Sequence, residues 1–241
     1  MTAFKGKQSV KNKYVKRVKS HYESDEIVQG IYWENGKGCA VGCTLEYDNS
    51  GESIHQRMED QLGVPRILAR LEDKIFEGLD NGDAKKFPLE FLEAITPGAD
   101  LSMVYPKFIV WLLKDKKDGV WQYARTDGKR AITKVVKLYQ RKILGEAIAE
   151  SEWRAAAYAA EAAAYAAEAA AYAAYYAADA ADAAYYAADA AAAEAAADAA
   201  DAAYYAADAA DAAYYAAEAD VRRTHYKKMA DKLIELLKET I

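Results

Sequence analysis

The chain has 241 residues, of which 53% are hydrophobic, with 13 glycines, 4 prolines and 2 cysteines. These counts exclude a collagen-like repeat and a disulfide-stapled scaffold. The formal net charge of −6 is unevenly distributed, because residues 155–219 contain only alanine, tyrosine, aspartate and glutamate, while the rest of the chain is mildly basic. We expect no signal peptide and no membrane span, since lysines interrupt the first twenty residues and acids interrupt the alanine-rich stretch.

Apolar residues at helical spacing predict a first, basic helix before Gly30, formed by Val10, Tyr14, Val15, Val18 and Tyr22. The next segment, residues 31–45, changes character, because its Asn-Gly pair is the turn signal of a small β-hairpin. The sequence therefore predicts an all-α protein with one small hairpin.

Helical patterns resume after the hairpin, separated by glycine and proline stops. The predicted elements are a helix over 54–62 stopped by Gly63, a helix from Pro65 to Leu79, a loop over 80–85, a helix from Pro88 to a break at Pro97, and helices over 105–113 and 132–143. Together they make up a compact helical domain over residues 1–150.

Residues 151–241 contain neither glycine nor proline and form the second predicted domain. Alanine has the highest intrinsic helix propensity, so residues 155–219, the alanine-rich tract, are expected to form one helix roughly 98 Å long at 1.5 Å per residue. The alternative is a helical hairpin that turns near residues 190–193.

The alanine-rich tract keeps its large side chains on one side. At 100° per residue, the tyrosines and acids leave an arc of about 140° that holds only alanine. Such a face lets helix axes approach closely, and periods of seven and ten residues favour left-handed packing with neighbouring helices. The tyrosines expected to take part in binding or assembly are Tyr158, Tyr165, Tyr172, Tyr176, Tyr186, Tyr204, Tyr205 and Tyr215. Two alternatives stay open: a tyrosine cover that only keeps the helix soluble, or a spacer of unimportant sequence.

The chain after Asp220 is amphipathic, with four basic residues before an apolar stripe that includes Leu233, Leu236 and Leu237. Such a stripe requires a partner surface. We expect that surface to be either the N-terminal domain of the same chain or another copy.

Cys39, Cys43 and His55 are the weak candidates for chemistry. The two cysteines lie four residues apart in a glycine-rich turn, where a thiol can be activated by a histidine or can bind zinc. Zinc sites more often contain paired C-x-x-C spacings, and small buried cysteines are the commoner outcome. We therefore expect no catalytic residue, no metal and no cofactor.

The first twenty residues contain seven lysines and arginines and no acid, which is compatible with phosphate binding. The bases spread round the predicted helix rather than along one side. Nucleic-acid binding is therefore the less favoured interpretation.

The segment WENGKGCAVGCT, which begins at Trp33, is followed by LGVPRILARLEDKIFEGL from Leu62, FLEAITPGADLS from Phe91 and PKFIVWLL from Pro106. With these motifs the chain resembles a family of bacteriophage and bacterial proteins that also carry alanine-rich, tyrosine-containing tails. The resemblance implies no activity. Members often place a histidine shortly after the second cysteine, where this chain has Glu46, and that departure weakens a Cys–His pair here.

These patterns favour a non-catalytic binding or self-assembly protein that oligomerises through the alanine-only face of its C-terminal helix. A Cys-dependent enzyme or small-ligand binder, with the tail as oligomerisation element, is the first alternative. The second is nucleic-acid binding through the basic helix. The expected location is the cytoplasm of a bacterial cell or a phage-infected host, where thiols stay reduced.

Overall fold

The computed structural model describes residues 2–46, 53–122, 124, 126–157 and 219–240. These residues form helices and one two-stranded antiparallel hairpin, so the predicted all-α fold with a small hairpin is confirmed. The elements are a 3₁₀ turn over Ala3–Gly6, α1 Gln8–Glu23, β1 Trp33–Glu34, β2 Lys37–Gly38, α2 Ala40–Leu45, α3 Ile54–Leu62, α4 Arg66–Gly78, α5 Asn81–Ala94, α6 Val104–Lys114, a 3₁₀ turn over Val120–Gln122, α7 Thr126–Ile143, α8 described over 150–157, and α9 Ala219–Lys238.

Packing divides the chain into two units. The first unit contains the residues up to Val104 and those from Tyr226 onward, and the second contains Tyr105–His225. This division differs from the predicted boundary near residue 150, because the sequence boundary follows a change in composition and the structural one follows contacts between helices.

The hairpin turns at Asn35 and Gly36, whose φ angles of 51° and 82° are both left-handed. That pair of angles is typical of the tight turns that match strand twist, and Asn-Gly is the dipeptide that tolerates it. The hairpin is shorter than the segment predicted for it, because the chain is already helical from Ala40 onward. Cys39 begins that helix, with its Sγ accepting a hydrogen bond from the amide of Gly42.

Helix α5 begins at Asn81, so the loop predicted for residues 80–85 and the helix start predicted at Pro88 are wrong. The amide of Ala84 donates to the carbonyl of Asp80 at 2.8 Å and closes the first turn. Ala84 and Phe87 are buried. Burial of this face therefore outweighs the backbone hydrogen bond that the proline removes within the helix.

Helix α9 packs within the first unit from Tyr226 onward. Its fully buried side chains, each 0% exposed, are Tyr226, Met229, Leu233 and Leu237. A Cβ atom on Gly78 would lie 2.3 Å from the ring of Tyr226, so the ring occupies the space that this glycine leaves. Lys227 also lies close enough to Asp83 and Glu90 of α5 for these acids to favour its charge. The amphipathic end of the chain therefore has its own N-terminal unit as partner.

The second unit has an aromatic and aliphatic core. Tyr139 of α7 lies against Tyr105 and Trp153, with ring centroids 6.1 and 4.9 Å apart. Phe108 and Ile109 of α6 are 0% exposed, as expected for the most apolar predicted helix. The predicted helix over 132–143 is the second part of α7, which starts earlier, at Thr126.

The alanine-rich tract lies outside the described residues except at its two ends. Of the first three alanines, Ala156 and Ala157 are buried and Ala155 is exposed. Among the described residues, no helix is both long and apolar enough to cross a bilayer.

Candidate functional site

Two glycines bring the backbone of Tyr32 against the start of α2. A Cβ atom on Gly38 would lie 2.1 Å from the carbonyl oxygen of Tyr32, and one on Gly42 would lie 1.6 Å from it. Only glycine allows this approach. The carbonyls of Ile31 and Tyr32 both accept from the amide of Cys39, at 2.8 and 3.3 Å, so the loop fixes the position of that cysteine.

The two cysteines of the motif have different environments, although both are buried and unoxidised. The thiol of Cys43 donates to the carbonyl of Gly38, with sulfur and oxygen 3.2 Å apart. Burial raises the pKa of Cys43 to about 12. Cys43 is therefore a protonated side chain that ties α2 to the hairpin.

Cys39 instead faces helix α4, which lies beside α2. Cys39, Asp73 and Glu77 each offer one ligand atom, and these three atoms lie within 4.8 Å of one another. Asp73 and Glu77 are four residues apart, so they project from the same side of α4. Cys39 is 1% exposed and Asp73 is 9% exposed, whereas Glu77 is exposed. The cluster therefore runs from the interior to the surface.

Asp73 also connects this cluster to the histidine predicted from the sequence. The Nε2 atom of His55, in the first turn of α3, lies 3.1 Å from Oδ2 of Asp73. The ring of Tyr32 meets the His55 ring edge-on, with centroids 6.0 Å apart. Asp73 Oδ1 is buried and has no hydrogen-bond partner of adequate geometry within the described part of the chain.

The cluster is rich in negative charge. Burial, followed by the charge of Asp73, raises the pKa of Cys39 well above its ordinary value. Although Glu77 as a whole residue is exposed, the protein partly shields its carboxylate from water and raises its pKa to about 7, with Asp73 adding to the effect and a hydrogen bond from the amide of Gly30 opposing it. The pKa of Tyr32 rises to about 12 through burial and the neighbouring acid. The charge of Lys74, on the same helix, also opposes the rise in the pKa of Glu77.

Glu72, next to Asp73 on α4, is fully buried, and both of its carboxylate oxygens lack a hydrogen-bond partner. Burial raises its pKa well above the ordinary value. A carboxyl in this position is held in its neutral form.

The structure thus brings two of the three predicted candidates together, but through an acid. Cys39 and His55 both lie beside Asp73, while Cys43 points to the hairpin backbone. The raised pKa of Cys39 opposes the thiolate that a nucleophilic cysteine requires.

Asp73 and Glu77 were missed by sequence analysis, because two acids at i and i+4 are usual on the exposed side of an amphipathic helix. The buried Glu72, in line with Ala69 and Phe76, was the available signal.

Of the other predicted site residues, the three leucines are buried and the eight tyrosines lie outside the part of the chain that the structure describes. Leu233, Leu236 and Leu237 are buried in the first unit. The tyrosines predicted for assembly lie outside the described residues: Tyr158, Tyr165, Tyr172, Tyr176, Tyr186, Tyr204, Tyr205 and Tyr215.

Part of the basic set on α1 already has partners inside the chain. Lys11 Nζ donates to the carbonyls of Glu93 and Ile95 at the end of α5, at 2.7 and 2.8 Å. Arg17 forms an ion pair with Glu46 at 3.0 Å. Glu46 therefore has a structural contact.

Comparison of the chain with protein-family models, with curated proteins and with solved structures gives no significant match.

Proposed function

We propose that this chain is a non-catalytic binding protein that self-assembles through the alanine-only face of its alanine-rich tract. The observation that carries the proposal is the sequence phase of that tract, in which 65 consecutive residues leave a continuous methyl face. A second copy of the chain is the partner, because matched methyl faces allow the closest approach of two helix axes.

The neighbouring elements support this choice. The apolar stripe of α9 is already buried in the first unit, so it does not serve as the surface between copies. Helix α8 leads into the tract from a buried start, since Trp153 is 4% exposed. The methyl face of the tract is therefore the surface that we assign to contact between copies.

The rival functions have less support. A Cys-dependent enzyme requires a thiolate, and the pKa values of Cys39 and Cys43 are both raised. Nucleic-acid binding requires a shared basic surface, and Lys11 and Arg17 are engaged within the chain. Under this proposal the protein assembles in the cytoplasm, where its two thiols stay free.

Light scattering on the intact chain tests the proposal. If the tract is helical, Ala188 and Ala206 lie near the centre of the alanine-only face, and Ala190 and Ala197 lie on the tyrosine side. We expect the wild type to form oligomers and the pair Ala188→Glu and Ala206→Glu to form monomers. The matched pair Ala190→Glu and Ala197→Glu adds the same charge and should leave the oligomer intact. A wild-type monomer, or equal effects of both pairs, would contradict assembly through this face.

A further inference from the structure

We infer that Cys39, Asp73 and Glu77 form a binding site for a divalent transition-metal ion of the zinc class, with His55 as the residue that orients Asp73. This inference is independent of the proposed assembly. It concerns the first unit alone and uses residues of α2, α3 and α4.

The ligand geometry fits one ion. Zinc binds thiolate sulfur at about 2.3 Å and carboxylate oxygen at about 2.0–2.2 Å, so two ligand atoms on one tetrahedral ion lie about 3.5 Å apart. The three ligand atoms here lie within 4.8 Å of one another. Side-chain rotation that closes these separations by up to about 1.3 Å brings all three onto a common ion.

The surroundings of the Asp73 carboxylate indicate where the ion binds. Oδ1 is buried, and among the described residues no donor meets it in good hydrogen-bond geometry, although the Cys39 thiol lies near enough to interact with this carboxylate. Oδ2 of the same carboxylate has His55 at 3.1 Å. One oxygen is therefore held by His55, and the other would gain a positive partner if a metal ion replaced the proton of the Cys39 thiol.

His55 contacts Asp73 in the way that residues around a metal site contact the ligands of the ion. Ligating carboxylates are usually held by a hydrogen bond that fixes their orientation, and removal of such a partner weakens metal binding about 10–100-fold. Tyr32 packs edge-on against the His55 ring and holds it in place. His55 belongs to α3 and is 8% exposed, so the fold positions its ring independently of any ion.

Access and donor chemistry select the kind of ion. Glu77 is exposed and Tyr32 is 50% exposed, so the site opens to solvent on that side. One thiolate with two carboxylates is a mixed donor set, which suits zinc and cobalt(II) better than magnesium or calcium, since the latter bind oxygen alone. Three protein ligands leave a fourth position for water or a small ligand. Binding converts the Cys39 thiol to a thiolate and releases its proton to solvent.

Titration of the intact chain with cobalt(II) and zinc tests the site. Cobalt(II) bound to a thiolate gives a near-ultraviolet charge-transfer absorption, so we expect that band in the wild type at one ion per chain, with zinc displacing it. Cys39→Ser should abolish the band. Cys43→Ser is the matched control, because it removes the other buried thiol of the same motif and should keep the band.

Two more variants keep the test decisive if Cys39→Ser fails to fold. Glu77 is exposed, so Glu77→Gln should retain the far-ultraviolet circular dichroism of the wild type and weaken zinc binding at least about tenfold in calorimetry. His55→Gln should weaken it about 10–100-fold without removing the cobalt band. Absence of the band in the wild type, equal loss in both cysteine variants, or unchanged affinity in Glu77→Gln would each overturn the inference. None of these outcomes depends on the oligomeric state.

Discussion

Two regions of this chain hold their acids in opposite ways. On α4, Asp73 and Glu72 are buried, and among the described residues both oxygens of Glu72 and Oδ1 of Asp73 lack a well-aligned hydrogen-bond donor. After α7, Glu146 and Glu152 are paired with Arg141, with 2.8 Å between Arg141 Nε and Oε2 of Glu146, and these groups are partly exposed. Acids that already pair with an arginine at the surface need no further partner. Buried acids without a positive charge must be neutralised by a proton or by a cation.

The largest expected effect is the stabilisation of the folded chain by a bound metal ion. If α4 binds zinc, the ion stabilises the folded chain by about 2.7 kcal/mol at a free concentration one hundred times its dissociation constant. Thermal unfolding with and without zinc measures this gain. Asp73→Asn removes the ligand charge and should lose the gain.

Glu152→Gln is the control for that measurement, because it removes an acid that already pairs with Arg141 and does not belong to the proposed site. It should keep the full stabilisation by zinc. An equal gain in Asp73→Asn and the wild type would mean that zinc acts elsewhere on the chain.

The proton is the second way to neutralise a buried acid, and it applies to Glu72. Glu72→Met keeps the side-chain volume and removes a buried group without partners, so we expect about 1–3 kcal/mol more stability at neutral pH. Urea unfolding measures the difference. Little change would mean that the carboxyl of Glu72 has a partner in solution.

The sign of the pH dependence of stability follows from the raised pKa of Glu72. As the pH rises above 4.5, the unfolded chain releases this proton before the folded chain does. The unfolding free energy of the wild type should therefore decrease as the pH rises from 4.5 towards neutrality. Glu72→Met should flatten this decrease, whereas Glu34→Gln, at an exposed position, should leave it unchanged.

The smallest effect on stability is expected where Glu146 and Glu152 pair with Arg141. Glu152→Gln breaks its ion pair with Arg141, and we expect a smaller loss of stability than the change at Glu72, because salt and water screen exposed charges. Hydrogen bonding to Arg141 lowers the pKa of Glu152, so this contribution is present at neutral pH and disappears on acidification below 4.5. Melting temperatures at low and high salt check it, and a loss that persists in high salt would contradict the assignment.

Sequence periodicity was sufficient for much of the fold. Helix α3 covers the predicted residues and stops at Gly63, whose φ of 68° is left-handed. The Asn-Gly turn was also visible, because its backbone angles restrict the residues that can occupy it. The helix start predicted at Pro88 is wrong, since burial of Ala84 and Phe87 extends α5 across a residue that usually begins a helix.

The candidate site was visible only in part, because it depends on contacts between elements distant in sequence. The spacing of Cys39 and Cys43 suggested that they act together, yet their thiols point to different neighbours. No periodicity relates Cys39 to Asp73, which lies on another helix. The sequence could indicate reactive residue types, but only the packing of α2, α3 and α4 shows which of them meet.

The return of α9 to the first unit also bears on how this protein can evolve. Both ends of the alanine-rich tract continue into helices with buried residues, Trp153 before it and Tyr226 after it. A gained or lost seven- or ten-residue unit would lie outside these two anchors, so we expect it to leave their buried residues unchanged and the number of repeats to be free to vary.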